Sequence, residues 1–283
     1  MIYFGPAGNA DGFYQSGYKH TTQAPEYLSK MGLNAYEYQC GRGVKVNEDT
    51  ALVLKENAKT HNVRLSLHAP YFISLSSIEK EKRENSVNYI LQSARAAKLM
   101  GADRIVVHSG SCSKISREEA LALAKETLTW AYDALKNEHL EDVHICPETM
   151  GKINQLGTLE EVAQLCTVNE SFIPCIDFGH LNARTLGKIK DYNDYKYILD
   201  HLENVIGKER SRNFHAHFSK IEYTLGGEKK HLTFEDTVFG PDFNPLAKLL
   251  VDYDCSPTII CESDCTQDID AKKMRDIYYN LKG

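Results

Sequence analysis

The feature that most constrains the fold is an alternation, repeated eight times, of a short β-rich apolar run followed by a helical pattern. The runs are Ile2–Gly5, Asn34–Gln39, Arg64–His68, Arg104–His108, Val143–Glu148, Ile173–Asp177, Asn213–Phe218 and Thr258–Glu262. They are near-continuous rather than alternating in hydrophobicity, as strands of a parallel sheet covered on both faces must be. Between them, Ser116-Arg117-Glu118-Glu119 and Thr158-Leu159-Glu160-Glu161 fit the capping box that opens a helix. After Ser116, residues Leu121, Ala124, Leu128, Ala131 and Leu135 recur every three or four positions and form one apolar stripe. Val87, Ile90, Leu91, Ala94 and Ala97 form another, and Asn244-Pro245 marks a further helix start. Eight βα units in one chain of 283 residues predict a single (β/α)8 TIM barrel spanning 1–283. A doubly wound open sheet is the alternative, but no Gly-rich phosphate loop follows any strand.

Composition closes off other classes. With 25% charged and 42% hydrophobic residues, the chain is neither disordered nor fibrous. No run approaches the ~18 apolar residues of a spanning helix, and Met1-Ile2-Tyr3-Phe4-Gly5-Pro6 lacks the basic and apolar regions of a signal peptide. The eight cysteines are scattered without a C-x-x-C pair, which reads as small buried hydrophobes in a reducing, cytoplasmic setting. The net charge of −6 argues against a broad basic face for nucleic acid.

The chemistry is located by where His, Asp and Glu fall. His68, His108, Glu148 and Asp177 end successive strands, His180 follows three residues on, His215 and His217 lie on the seventh strand, and Glu262 ends the eighth. In a barrel these strand ends meet at one mouth, where active sites sit. Such a cluster is electrostatically costly unless a cation offsets it, so it predicts a metal centre. Imidazole plus carboxylate without thiolate suits zinc, manganese or iron, and seven or more candidates exceed one tetrahedral ion. Two or more ions ~3.5–4 Å apart are the arrangement used for phosphate ester cleavage. His20, His61, His139, His144 and His201 fall in loops, on helices or at strand starts and read as structural or exposed. Neither a G-x-S-x-G elbow nor an H-E-x-x-H helix occurs.

The stretches Leu67-His68-Ala69-Pro70-Tyr71, Val107-His108-Ser109-Gly110-Ser111, Pro147-Glu148-Thr149-Met150-Gly151, Cys175-Ile176-Asp177-Phe178-Gly179-His180, His215-Ala216-His217-Phe218-Ser219-Lys220 and Ile260-Cys261-Glu262-Ser263 together resemble the endonuclease IV family of abasic-site endonucleases. That resemblance implies three zinc ions: His68 and His108 on the first, Glu148 bridging the first two, Asp177, His215 and Glu262 completing the second, and His180 and His231 on the third. The family places an aspartate two residues before the last histidine. Here that position is Lys229, with Glu228 the substitute. The resemblance further implies a monomer that hydrolyses the phosphodiester 5′ to an abasic site in duplex DNA by a metal-bound hydroxide, with Glu148 fixing the ion pair. It assigns Tyr71 to the DNA side and offers Arg42, Lys220, Lys229 and Lys230 as substrate contacts. The histidine usual after the first strand is absent from Gly5-Pro6-Ala7-Gly8-Asn9-Ala10, and the loop holding Arg42 is short. Metal charge at the mouth, rather than a basic surface, would then meet the phosphate. A one-metal, manganese-type sugar isomerase or epimerase of the xylose-isomerase-like barrels is the rival. It needs only the equivalents of Glu148, Asp177, His215 and Glu262.

Overall fold

The computed structural model describes residues 1–283. In chain order the elements are β1 (Tyr3–Pro6), α1 (Asp11–Gln15), α2 (Ala24–Lys30), β2 (Ala35–Gln39), α3 (Glu48–Thr60), β3 (Arg64–His68), α4 (Lys80–Met100), β4 (Arg104–His108), α5 (Arg117–Asn137), β5 (His144–Glu148), α6 (Leu159–Leu165), β6 (Cys175–Asp177), α7 (Phe178–Arg184), α8 (Tyr192–Ile206), α9 (Lys208–Arg212), β7 (His215–Phe218), β8 (Lys220–Thr224), β9 (Gly227–Leu232), α10 (Phe243–Asp252), β10 (Thr258–Cys261) and α11 (Gln267–Lys282). Eight parallel strands follow the order β1-β10-β7-β6-β5-β4-β3-β2. The seam closes where Asn34 N–H donates to Phe4 O (3.1 Å) and Gly8 N–H donates to Glu37 O (2.9 Å). Gly5 permits that closure, because a Cβ there would lie 1.8 Å from Ala35 O. The eight expected strands are all present, within two residues at either end, and they form the TIM barrel.

Both capping boxes form: Ser116 and Thr158 each accept from the backbone N–H of the glutamate three residues on (3.2 Å in both). Each is worth about 1 kcal/mol of helix stability. The helices pack their apolar stripes on the outside of the barrel in one continuous core. Inside the barrel the apolar filling is small, with Val106, Cys146 and Cys175 forming a separate cluster. Six of the eight cysteines are buried and all are free. No helix is long and apolar enough to cross a membrane. The sequence did not announce the antiparallel hairpin β8–β9, which lies over the mouth as a separate two-stranded sheet.

Candidate functional site

Because side chains alternate along a strand, each barrel strand sends every second residue inward and stacks them in layers. Register sets the layers: Glu37 lies opposite Ser66 and Gln39 opposite His68. Likewise Val106 lies opposite Cys146 and His108 opposite Glu148. On the far side Cys175 lies opposite His215 and Asp177 opposite His217. The upper layer therefore contains His217, and His215 lies one layer down, roughly 6–7 Å deeper along the strand. This corrects the expectation that His215 completes the second ion's ligands. Both imidazoles face inward, so sequence alternation cannot separate them; the register with β6 does.

Groups of donor atoms form at the mouth, each with all atoms within 4.8 Å of one another: His68, His108 and Glu148; Glu148, Asp177, His217 and Glu262; and His180, Glu228 and His231, with His68, His217 and Glu262 forming a further set that overlaps the first two. Glu148, shared by the first two, is 1% exposed. His68 Nε2 and His108 Nε2 approach its Oε2 at 3.5 and 3.3 Å. His217 Nδ1 lies 2.9 Å from its Oε1 and 3.5 Å from Glu262 Oε2. Asp177 caps α7, its Oδ1 accepting from His180 N–H at 2.6 Å, while its Oδ2 is buried without a hydrogen-bond donor. Glu148 Oε2 is likewise buried and unpaired.

The outer partners fix which ring nitrogen faces the cluster. His68 Nδ1 and His180 Nδ1 lie 2.9 Å from the carbonyls of Ala69 and Thr149, so each donates there and turns an Nε2 lone pair inward. His180 Nε2 then faces Glu228 Oε2 at 3.4 Å, and His231 Nδ1 meets Ser219 Oγ at 2.8 Å. Lone pairs of nitrogen facing carboxylate oxygens are repulsive unless a proton or cation lies between them. The unpaired oxygens and the mixed nitrogen–oxygen donor set fit a borderline divalent ion such as zinc or manganese.

Without a cation, protons take that part. Burial opposes charge on His217, but Glu262, Glu37 and Glu148 outweigh it and hold the imidazole well above its ordinary range. Burial opposes charge on His180 too, and Asp177, Glu148 and Glu228 raise it to about 9. Glu148 is held well below the carboxylate range because His217, His68 and His108 overcome its burial. Burial dominates at His108, pushed down to about 3, and at Glu262, pushed up.

Sequence reasoning missed Glu37, the carboxylate beneath the cluster. Fully buried, it accepts from Ser66 Oγ (2.9 Å), Gln39 Nε2 (3.1 Å) and His215 Nε2 (2.9 Å), and sits 3.0 Å from His217 Nε2. The available signal was a glutamate at an inward position of a barrel strand.

Glu228 joins its group through a β-bulge. Glu222 pairs with Lys230 and Tyr223 with Glu228, so Lys229 is the extra residue and alternation is reset. Glu228 and His231, three apart, thereby share a face, and Lys229 turns to Glu222 Oε1 at 2.5 Å. Gly151 makes room, since a Cβ there would lie 2.5 Å from Glu228 Cβ and 2.9 Å from His180 Cδ2.

A cavity of about 360 Å³ opens onto His68, His108, Glu148, Glu262, His180, Glu228 and His231, and is also lined by Tyr71, Met150, Lys152 and Gln155. An adjoining one of about 610 Å³ carries Asn9, Gln39, Asp264, Lys229 and Lys230. Tyr71 is 56% exposed and stacks on His108 with ring centroids 5.2 Å apart. Arg42 is exposed on the turn after β2 and lines neither cavity. Lys220 does not reach the mouth: its Nζ donates to the carbonyls of Phe234 (3.1 Å) and Asp236, and it lines a separate cavity with Phe243. Lys152, on the loop after β5, is the cation that sequence reasoning overlooked.

Comparison with known proteins adds relatives to this geometry. The model of the family described as xylose isomerase-like TIM barrel matches residues 25–278. An uncharacterized protein of Methanocaldococcus jannaschii is 37% identical over 263 residues, covering 93% of this chain and 92% of its own. A protein named probable endonuclease 4 from Listeria monocytogenes is 28% identical over 219 residues, covering 73% of this chain and 71% of its own. Among solved structures, a D-tagatose 3-epimerase-like protein superposes with a TM-score of 0.73 at 18% identity, covering 99% of this chain and 98% of that one. Endonuclease IV from Thermus thermophilus superposes with a TM-score of 0.68 at 19% identity, covering 98% of each.

Proposed function

The chain belongs to the xylose isomerase-like TIM barrel family, and within it we propose a zinc-dependent endonuclease that hydrolyses the phosphodiester 5′ to abasic sites in duplex DNA. The observation that carries this reading is the surplus of imidazoles. A one-metal enzyme needs only Glu148, Asp177, His217 and Glu262, yet His68 and His108 form one more group with Glu148, and His180 and His231 another with Glu228. The relatives named probable endonuclease 4 support it.

Zinc bound in these groups supplies Lewis acidity toward a phosphate oxygen and activation of water near neutral pH. The chain does the rest. Glu148 holds two groups at one spacing with its two oxygens, and the Nδ1–H bonds of His68 and His180 keep their Nε2 lone pairs aimed inward. Tyr71, stacked on His108, offers an exposed ring face to an extruded nucleotide. Lys152 in the first cavity, and Lys229 and Lys230 in the second, are placed to meet flanking phosphates as a monomer docks on the duplex.

The second reading is a one-metal sugar epimerase, favoured by the self-contained group Glu148, Asp177, His217 and Glu262 and by the epimerase-like structural neighbour. His108→Ala separates the two. The nuclease loses most of its nicking rate together with bound zinc. An epimerase keeps its ligand set and its turnover, and that result would overturn the nuclease reading.

A further inference from the structure

The third ligand group is assembled by a loop that touches no ligand side chain through its own polar groups. Residues 150–155 follow β5, and this loop backs the hairpin. Gly151 O accepts from Glu228 N–H (3.1 Å) and Ile153 N–H donates to Gly226 O (3.2 Å). Gly227 takes φ +90°, and a Cβ there would lie 2.2 Å from Gly151 O, so the two backbones are in direct contact. The position of Glu228 is therefore set by the position of this loop.

Two arginines hold the loop by its carbonyls. Arg184 donates through Nη1 to Met150 O and through Nη2 to Gln155 O (3.2 Å) and Ile153 O (3.4 Å). Arg117 donates to Ile153 O and Gln155 O, both at 3.0 Å, and is itself held by Glu161 at 2.7 Å. Arg184 differs from Arg117 in one respect. It lies four residues after His180 on α7, one helical turn away on the same face. His180 Nδ1 bonds the carbonyl of Thr149 while Arg184 bonds the next carbonyl, that of Met150. One short helix thus pins consecutive carbonyls and registers a ligand it carries, His180, against one it does not, Glu228.

We propose that Arg184 is a positioning residue for the His180–Glu228–His231 metal group, acting through the 150–155 loop and leaving the two groups that share Glu148 untouched. This rests on the multi-ion reading of the site. A planar, forked guanidinium reaches three carbonyls at once; an ammonium on a flexible stem does not. Loss of an outer partner of a metal site typically lowers affinity by about 10–100-fold.

The test is zinc stoichiometry by mass spectrometry and chelator competition on the full chain, for wild type, Arg184→Met, Arg184→Lys, His231→Ala and the double variant Arg184→Met/His231→Ala. The expected result is three ions in wild type, two in Arg184→Met, and an unchanged two in the double variant relative to His231→Ala. Arg184→Lys, the variant to use if Arg184→Met does not fold, weakens one ion about tenfold and leaves the other two unchanged. Three ions bound with wild-type affinity in both Arg184 variants would overturn the proposal, and so would parallel loss of all ions, the mark of a general structural role. A wild type that holds one ion would overturn the multi-ion reading itself.

Discussion

Replacing Glu37 by Gln tests whether the buried carboxylate beneath the cluster governs the metal ligands above it. Glu37 is fully buried and receives donors from Ser66, Gln39 and His215, with His217 Nε2 3.0 Å away. A carboxylate only accepts, and all four partners can donate. The amide of Gln turns one oxygen into an NH₂ group, so at least one buried donor is left facing another donor. An unsatisfied buried group costs about 1–3 kcal/mol, and breaking a buried charge pair about 3–5 kcal/mol. His217 keeps Glu148 Oε1 at 2.9 Å as a second partner, which places the expected loss at about 2–3 kcal/mol, or roughly 3–5 °C in melting temperature for a domain of this size. The same change removes the carboxylate charge 3.0 Å from His217 Nε2 that helps to orient the ring, so zinc affinity should fall about 10–100-fold. Thermal unfolding in chelator and zinc competition against a chromophoric chelator read the two effects separately. A Glu37→Gln protein that melts within a degree of wild type and holds zinc equally well would show that Glu37 does not govern the histidines above it.

His217→Ala should lose metal, whereas His215→Asn should keep its metal content and lose only stability; zinc counting on the two variants checks which imidazole is the ligand. Gly5→Ala forces a methyl group to within 1.8 Å of Ala35 O at the barrel seam and should destabilise by several times the ~1 kcal/mol typical of point substitutions, as denaturant unfolding would register. Asp103 is half-buried between Arg104 and Arg64; partial burial opposes its charge, but the two guanidinium groups hold its carboxyl down at about 2. A depressed folded pKa means stability that is present above the unfolded value near 4 and lost as pH falls toward 2. Asp103→Asn should therefore flatten the acid limb of the stability curve in that window, measured by urea unfolding at successive pH values.

The barrel was legible because its signals are local. Strand runs, capping boxes and apolar stripes each report on a few neighbouring residues, and the eight units appear where expected. The strand ends that carry the candidate ligands could be placed for the same reason: a His, Asp or Glu at the end of an apolar run needs only the barrel rule to be put at the mouth. What failed depended on register between distant segments. His215 and His217 are both inward and both buried, and only the pairing of Asp177 with His217 tells them apart. Glu37 lies 178 residues from its partner His215, and beyond a carboxylate at an inward strand position nothing local points to what it contacts. The bulge at Lys229 depends on the partner strand β8, which the sequence did not announce, and it alone explains how Glu228 and His231 share a face. Lys220 follows the strand carrying the histidines and so looked like a mouth residue, yet the hairpin begins there and turns its ammonium onto the carbonyls of Phe234 and Asp236.

Phosphodiester hydrolysis at an abasic site can be read out by incubating zinc-loaded protein with a labelled duplex that carries a single tetrahydrofuran abasic analogue. One nick is expected, immediately 5′ to the analogue, leaving a 3′-hydroxyl that a polymerase can extend, with activity abolished in chelator and restored by zinc. An intact duplex, from protein that holds one manganese ion per chain and epimerises a ketose, would contradict it.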